Sequence, residues 1–178
     1  MWSTYRYSVS NAVSQMRLRK IVFSSEDLPF EGCIDAILQN QPLLEHLELP
    51  RGMTEARTLA PTDIPLLNTF VGDVLAALSI VPGRPVFDLT VKHLEYIIAG
   101  LQWDDLFPRL RESTVPITSL SLKLYRPFSQ TEDAMIVRIV AKYFKEIRNL
   151  VVDIMFGTGL RQLFFATVSF HQGHPCGY

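Results

Sequence analysis

One spacing governs this chain. The pattern L-x-x-L-x-L, with other apolar residues allowed at the anchors, recurs six times: at 18–23 (LRKIVF), 44–49 (LEHLEL), 67–72 (LNTFVG), 86–91 (VFDLTV), 117–122 (ITSLSL) and 147–152 (IRNLVV). The third copy is degraded, with Gly72 at its last anchor. The last two anchors of each copy lie two residues apart, so in an extended chain they point to one face of a strand. The residues between them point to the other face. Six such strands share one buried face and leave the opposite face to polar residues.

The segments between the copies read as helices. Residues 30–39 put Ile34, Ile37 and Leu38 on one side. Asp73 is placed as the N-cap of a short helix carrying Val74, Leu75 and Leu78, stopped at Pro82 and Gly83. Residues 92–101 space Leu94, Ile97, Ile98 and Leu101 as a helix does, and residues 104–111 predict a second, short helix. The run Ser129–Glu132 (SQTE) has the form of a capping box, opening a helix with Val137, Val140, Ala141 and Phe144 on one face.

Strands joined through helices run parallel, with right-handed crossovers. The expected fold is therefore α/β: a leucine-rich-repeat-like right-handed solenoid with a parallel sheet and helices on its convex side. The first anchors, at 18, 44, 67, 86, 117 and 147, are irregularly spaced for a regular solenoid. A doubly wound α/β sheet is the competing architecture, but it calls for near-continuous apolar strands. These strands carry Glu48, Asp88, Ser119, Ser121 and Asn149 between their anchors, which favours one exposed sheet face. The chain divides into residues 1–16 as the partial helix of a preceding repeat, 17–154 as the repeat domain, and 155–178 as an irregular C-terminal cap or tail.

The order of these motifs over residues 17–154 carries a resemblance. "PLLEHLEL", "IPLLNTFVG", "VPGRPVFDLTV", "LFPRLRESTVPITSLSLKL" and "KEIRNLVVDI", in that order, resemble the divergent leucine-rich-repeat region of F-box-like proteins from mushroom-forming fungi. The resemblance implies that the repeats hold a target protein, while the family's F-box recruits a ubiquitin-ligase core through a Skp1-type adaptor. A complete F-box is not found. The stretch 28–38 (LPFEGCIDAIL) is similar to the start of one, but strand 44–49 arrives within six residues. A Skp1-type adaptor is therefore implied as a partner only where an F-box lies elsewhere in a parent protein.

The register assigns the open sheet face to Lys20, Val22, His46, Glu48, Thr69, Val71, Asp88, Thr90, Ser119, Ser121, Asn149 and Val151. This mixture of polar groups and valines suits a protein partner better than a polyanion. With 178 residues, 48% apolar, 20% charged and a net charge of −1, the chain reads as one soluble domain without the basic footprint of a nucleic-acid or anionic-lipid binder. No stretch is long and apolar enough to span a bilayer.

Two cysteines, Cys33 and Cys176, make no disulfide framework, which points to a reducing compartment, cytoplasmic or nuclear. The first 25 residues carry arginines and serines but no acids, and Trp2, Tyr5, Val9, Val13 and Met16 share a helical stripe. They read as a core-facing helix running into a strand, with a mitochondrial transit peptide as the alternative.

Candidate chemistry is sparse. His171, His174 and Cys176 form the one cluster of metal-type ligands, short of the four a structural zinc site needs, and read as part of a tail. Gly157 and Gly159 lack the lysine of a phosphate loop. Cys33 falls in an apolar helix pattern and Val81–Pro85 reads as a turn. Asp104 and Asp105 sit where acids complement a helix dipole.

The expected function is a non-enzymatic interaction module without cofactor or metal, the recognition part of an F-box-like receptor. The alternative is a small α/β enzyme with a site at the strand carboxyl ends, where His46 and Asp88 would matter most. The apolar residues Leu160, Leu163, Phe164, Phe165, Val168 and Phe170 call for a cap or a partner.

Overall fold

The computed structural model describes residues 16–23, 31–50, 59–92, 103–124 and 130–154. Each of the six anchor copies forms a strand: β1 (Lys20–Val22), β2 (His46–Glu48), β3 (Thr69–Asp73), β4 (Asp88–Lys92), β5 (Ser119–Leu124) and β6 (Asn149–Ile154). Four helices accompany them among the described residues: α1 (Glu31–Leu38), α2 (Val74–Ile80), α3 (Trp103–Leu110) and α4 (Gln130–Tyr143). The strands form one all-parallel sheet in the order β1-β2-β3-β4-β5-β6, so each strand lies beside its neighbour in sequence and the order never reverses.

Register aligns the anchors. Ile21, Leu47, Phe70, Leu89, Leu120 and Leu150 are successive lateral neighbours. All six are buried in one continuous cluster with residues of every described helix, among them Ile34, Ala77, Phe107 and Val140. Burying each such side chain contributes about 1.5–3 kcal/mol. The alternate residues of the strands stay exposed or half-buried, save Asp73 at the end of β3, giving the sheet one covered and one open face.

A second regularity runs along the start of every strand. The carbonyl of the residue before a strand accepts two successive N–H groups from the next unit. Arg19 takes those of Glu45 and His46 at 2.8 and 2.9 Å, and Glu45 those of Asn68 and Thr69 at 2.9 and 3.0 Å. Asn68, Phe87 and Thr118 repeat the arrangement toward the following strands. This column is uniform although the steps between first anchors vary, so the irregularity is absorbed in the connections.

The degraded third copy has a steric explanation. A Cβ added to Gly72 would lie 2.7 Å from Phe70 Cζ and 3.6 Å from Leu49 Cβ. The Phe70 ring, fully buried, therefore fills the volume that two smaller anchors fill in the other copies.

The helices form where the sequence places them, with some corrections. Asp73 is the N-cap of α2, its Oδ1 accepting the Ala76 N–H at 2.9 Å, and the chain turns at Gly83 with φ of 74°. Leu75, expected on the apolar side of α2, is 38% exposed. On α4, Ile136, Val140 and Phe144 are buried, whereas Val137 is half-buried and Ala141 exposed. The packed row 136, 140, 144 thus keeps Val140 and Phe144 of the expected face and takes Ile136 in place of Val137 and Ala141. Lys92, expected to open a helix, ends β4. Met16, expected on an apolar stripe, is 52% exposed. The other stripe residues, the helix expected at 93–101, Ser129 of the capping box, the Cys33 side chain and everything from 155 onward lie outside the described residues.

Two features tie the connections together. Phe107 of α3 meets Phe144 edge-on, with ring centroids 5.4 Å apart, and Tyr143 at 6.1 Å. Above them, Tyr143 Oη and Lys142 Nζ both donate to Asp104 Oδ1, at 2.6 and 3.0 Å. This exposed clamp joins α3 to α4, and the Tyr143 hydrogen bond, followed by that of Lys142, lowers the Asp104 pKa.

Arg84 is the second feature, a fully buried guanidinium. Its Nη2 donates to the carbonyls of Ala60 and Leu59 at 2.6 and 3.2 Å, and its Nη1 to that of Ile80. Burial lowers its pKa, while the charge of Asp63 opposes the shift. The backbone beside it is knitted to the next connection, with Thr114 N–H donating to Arg84 O at 2.9 Å and the Ser113 hydroxyl reaching both Arg84 O and Val86 O. Arg84 thus braces the approaches to β3 and β4 with its side chain and the approach to β5 with its carbonyl.

Candidate interaction face

The twelve residues assigned to the open face form two straight rows across the sheet. In the first, Lys20, His46, Thr69, Asp88, Ser119 and Asn149 are successive lateral neighbours. In the second, Val22, Glu48, Val71, Thr90, Ser121 and Val151 are. All twelve are exposed or half-buried, because period-2 alternation with one face packed leaves them nowhere else to go. The rows lie about 6.6 Å apart along the strands, and neighbours within a row about 4.8 Å apart.

Register adds residues that the sequence reading omitted. A third partial row, Lys92, Lys123 and Asp153, follows the same alternation past the last anchor of β4, β5 and β6. Phe87, just before β4, is 45% exposed, whereas the equivalent positions on the other units are Arg19, Glu45, Asn68, Thr118 and Arg148. Extending the alternation one step past each anchor would have found the lysines. No sequence signal marks Phe87 as exposed.

The charges of this face are largely matched within it. Lys92 Nζ reaches over β3 from β4 to Glu48 Oε1 on β2, at 2.7 Å, with both side chains mostly shielded. That hydrogen bond lowers the Glu48 pKa against the opposing effect of burial. Arg19 and Glu45 pair at 3.2 Å, but with 75% and 39% of their side chains exposed the contact is worth little. Lys123 and Asp153 are lateral neighbours.

His46 is different. Its Nε2 is buried without a hydrogen-bond partner, and burial first, then Lys20, lowers its pKa against Glu48 and Asp88. His46 and Asp88, considered as neighbours, sit on β2 and β4 with Thr69 of β3 between them.

The remaining candidates resolve locally. Asp104 is occupied in the α3–α4 clamp, and Val81–Pro85 is a turn built around Gly83 and the buried Arg84. Among the described residues no group of three or more ligating side chains could hold a metal ion. His171, His174, Cys176, Gly157 and Gly159 lie outside them. No helix among the described residues is long and apolar enough to cross a membrane.

A cleft of about 290 Å³ opens between the approaches to β5 and β6, with Arg111, Val115, Pro116, Phe144 and Lys145 in its walls. Arg111 and Lys145 follow the C-terminal ends of α3 and α4, where cations complement the helix dipole. Compared with family models, curated proteins and solved structures, the chain matches none.

Proposed function

We propose that this chain is a non-enzymatic protein-interaction module: a leucine-rich-repeat-like right-handed solenoid that holds a partner protein on its open, concave sheet face. The reading extends to the substrate-recognition part of an F-box-like ubiquitin-ligase receptor that lacks its own F-box. The observation that carries it is the pair of rows. Six strands in sequential order repeat apolar inner anchors and the same bifurcated carbonyl, while the first outer row differs at every unit and the second mixes three valines with Glu48, Thr90 and Ser121. A stack with a constant back and a variable front supports a recognition surface.

Site-specific photocrosslinking tests the reading. A crosslinker at Ser121 on the open face is expected to trap a discrete partner, while one at the exposed Leu75 of α2 is not. Adducts from Leu75 alone would overturn the assignment of the face. A pull-down with a Skp1-type adaptor separates a ligase arm from a free-standing adaptor. Failure to bind removes the ubiquitin link and leaves the repeat reading in place.

A further inference from the structure

Apart from Asp73, which is buried and caps α2, the open face carries four acids across its three rows and their margin, and three of them have a cation beside them. Glu48 binds Lys92, Glu45 binds Arg19, and Asp153 lies beside Lys123. Asp88 is the exception. Its lateral neighbours are Thr69 on β3 and Ser119 on β5, and among the described residues its carboxylate makes no hydrogen bond or ion pair. It is half-buried, so part of its hydration is already lost without a compensating charge.

The residue before it is the exposed Phe87. Both ends of that residue's backbone are fixed, its N–H on Asn68 O at 3.1 Å and its carbonyl accepting from Thr118 and Ser119. An unmatched, half-buried carboxylate is what a basic side chain seeks, because its charge is met by a charge-assisted hydrogen bond. The floor around Asp88 is low. Thr69, Val71, Thr90, Ser119 and Ser121 are all small, and the long side chain that crosses this part of the sheet, Lys92, is held on Glu48.

Resting on the interaction reading above, the geometry points to the class of partner: an extended protein segment that places one arginine or lysine on Asp88, between Thr69 and Ser119, with small uncharged residues on either side. The flanks are uncharged because the other acids of the face are already matched, and a second charge would have to break a pair or be desolvated alone.

The test uses the full chain and a display library of randomised peptides. Selection is expected to enrich one basic residue in a neutral context. Binding of enriched peptides should fall about tenfold or more with Asp88→Asn. Asp105→Asn, an exposed acid on α3 away from the open face, should leave it within about twofold. Asp88→Lys should shift selection to acidic peptides, a gain that a folding defect cannot mimic. Ser121→Arg, which fills the floor, should abolish binding. Peptides that bind in a Ser121-sensitive manner but without a basic residue, or that survive Asp88→Asn, overturn this inference and leave the face assignment standing. Absence of any Ser121-sensitive binding overturns both.

Discussion

The two faces of one sheet obey opposite rules. On the inner face the middle anchor is Ile, Leu, Phe, Leu, Leu and Leu from β1 to β6, and every one is buried. On the outer face the residue just before it is Lys, His, Thr, Asp, Ser and Asn, and no two agree. Stacking demands sameness, because each anchor must fit against the anchors beside it at close-packed density. Solvent makes no such demand, so the outer row is free to vary with whatever it meets. The difference also separates what holds the molecule together from what it can contact.

The largest effect that could disturb this division lies on neither face. Arg84→Ala would leave the carbonyls of Leu59, Ala60 and Ile80 without their donor inside the protein, a loss of about 4 kcal/mol. Chemical denaturation checks this. If the cost is below about 1 kcal/mol, the connections contribute little and the inner face carries stability alone.

Next comes the inner face itself. Leu89→Ala is expected to cost about 3 kcal/mol, and its outward neighbour Thr90→Ala no more than about 0.5 kcal/mol, read in the same denaturation experiment. Comparable costs for the two would erase the contrast between the faces. A smaller effect sharpens it. Gly72→Ala forces a methyl into the buried Phe70 ring and should cost about 2 kcal/mol, and Phe70→Leu in the same chain should return part of that by clearing the space. Additive losses in this double variant would mean that the ring and the glycine do not compensate one another.

The smallest expected effect belongs to the open face. Because the His46 pKa is lowered in the folded protein, the unfolded chain takes up a proton on this ring at a higher pH than the folded one does. The contribution is full above about pH 6.5 and is lost as pH falls from there through the lower folded value. Denaturation midpoints followed from about pH 7.5 to 5 should fall for the native chain and flatten for His46→Gln. Glu48, also lowered, adds a further loss in the same direction in the carboxylate range.

The strands, their register and the two outer rows were legible in the sequence because an alternation of two cannot be satisfied in two ways once one face must be buried. The N-cap at Asp73 was legible because only a few side chains can serve there. The packed stripe of α4 was legible at Val140 and Phe144 but not at Ile136, because Ile136, Val137, Val140 and Ala141 offer two overlapping apolar rows and packing against Phe107 chooses between them. Arg84 was read as part of a turn, since a guanidinium is ordinarily left in water and its carbonyl partners come from residues 59–60, far along the chain. The distinction between Glu48 and Asp88 was equally hidden. It depends on how far Lys92 reaches over a neighbouring strand, which spacing along the chain does not encode.

The doubled acceptor at the start of each strand has an evolutionary corollary. It locks a new strand onto the preceding one through a single oxygen and two amide protons, with no reference to how long the excursion between them was. Insertions within an excursion are therefore invisible to the ribbon, whereas a proline at either donor position would unhook a whole unit. A lineage building such proteins can lengthen, shorten or duplicate its loops freely, provided that it leaves those few amides alone.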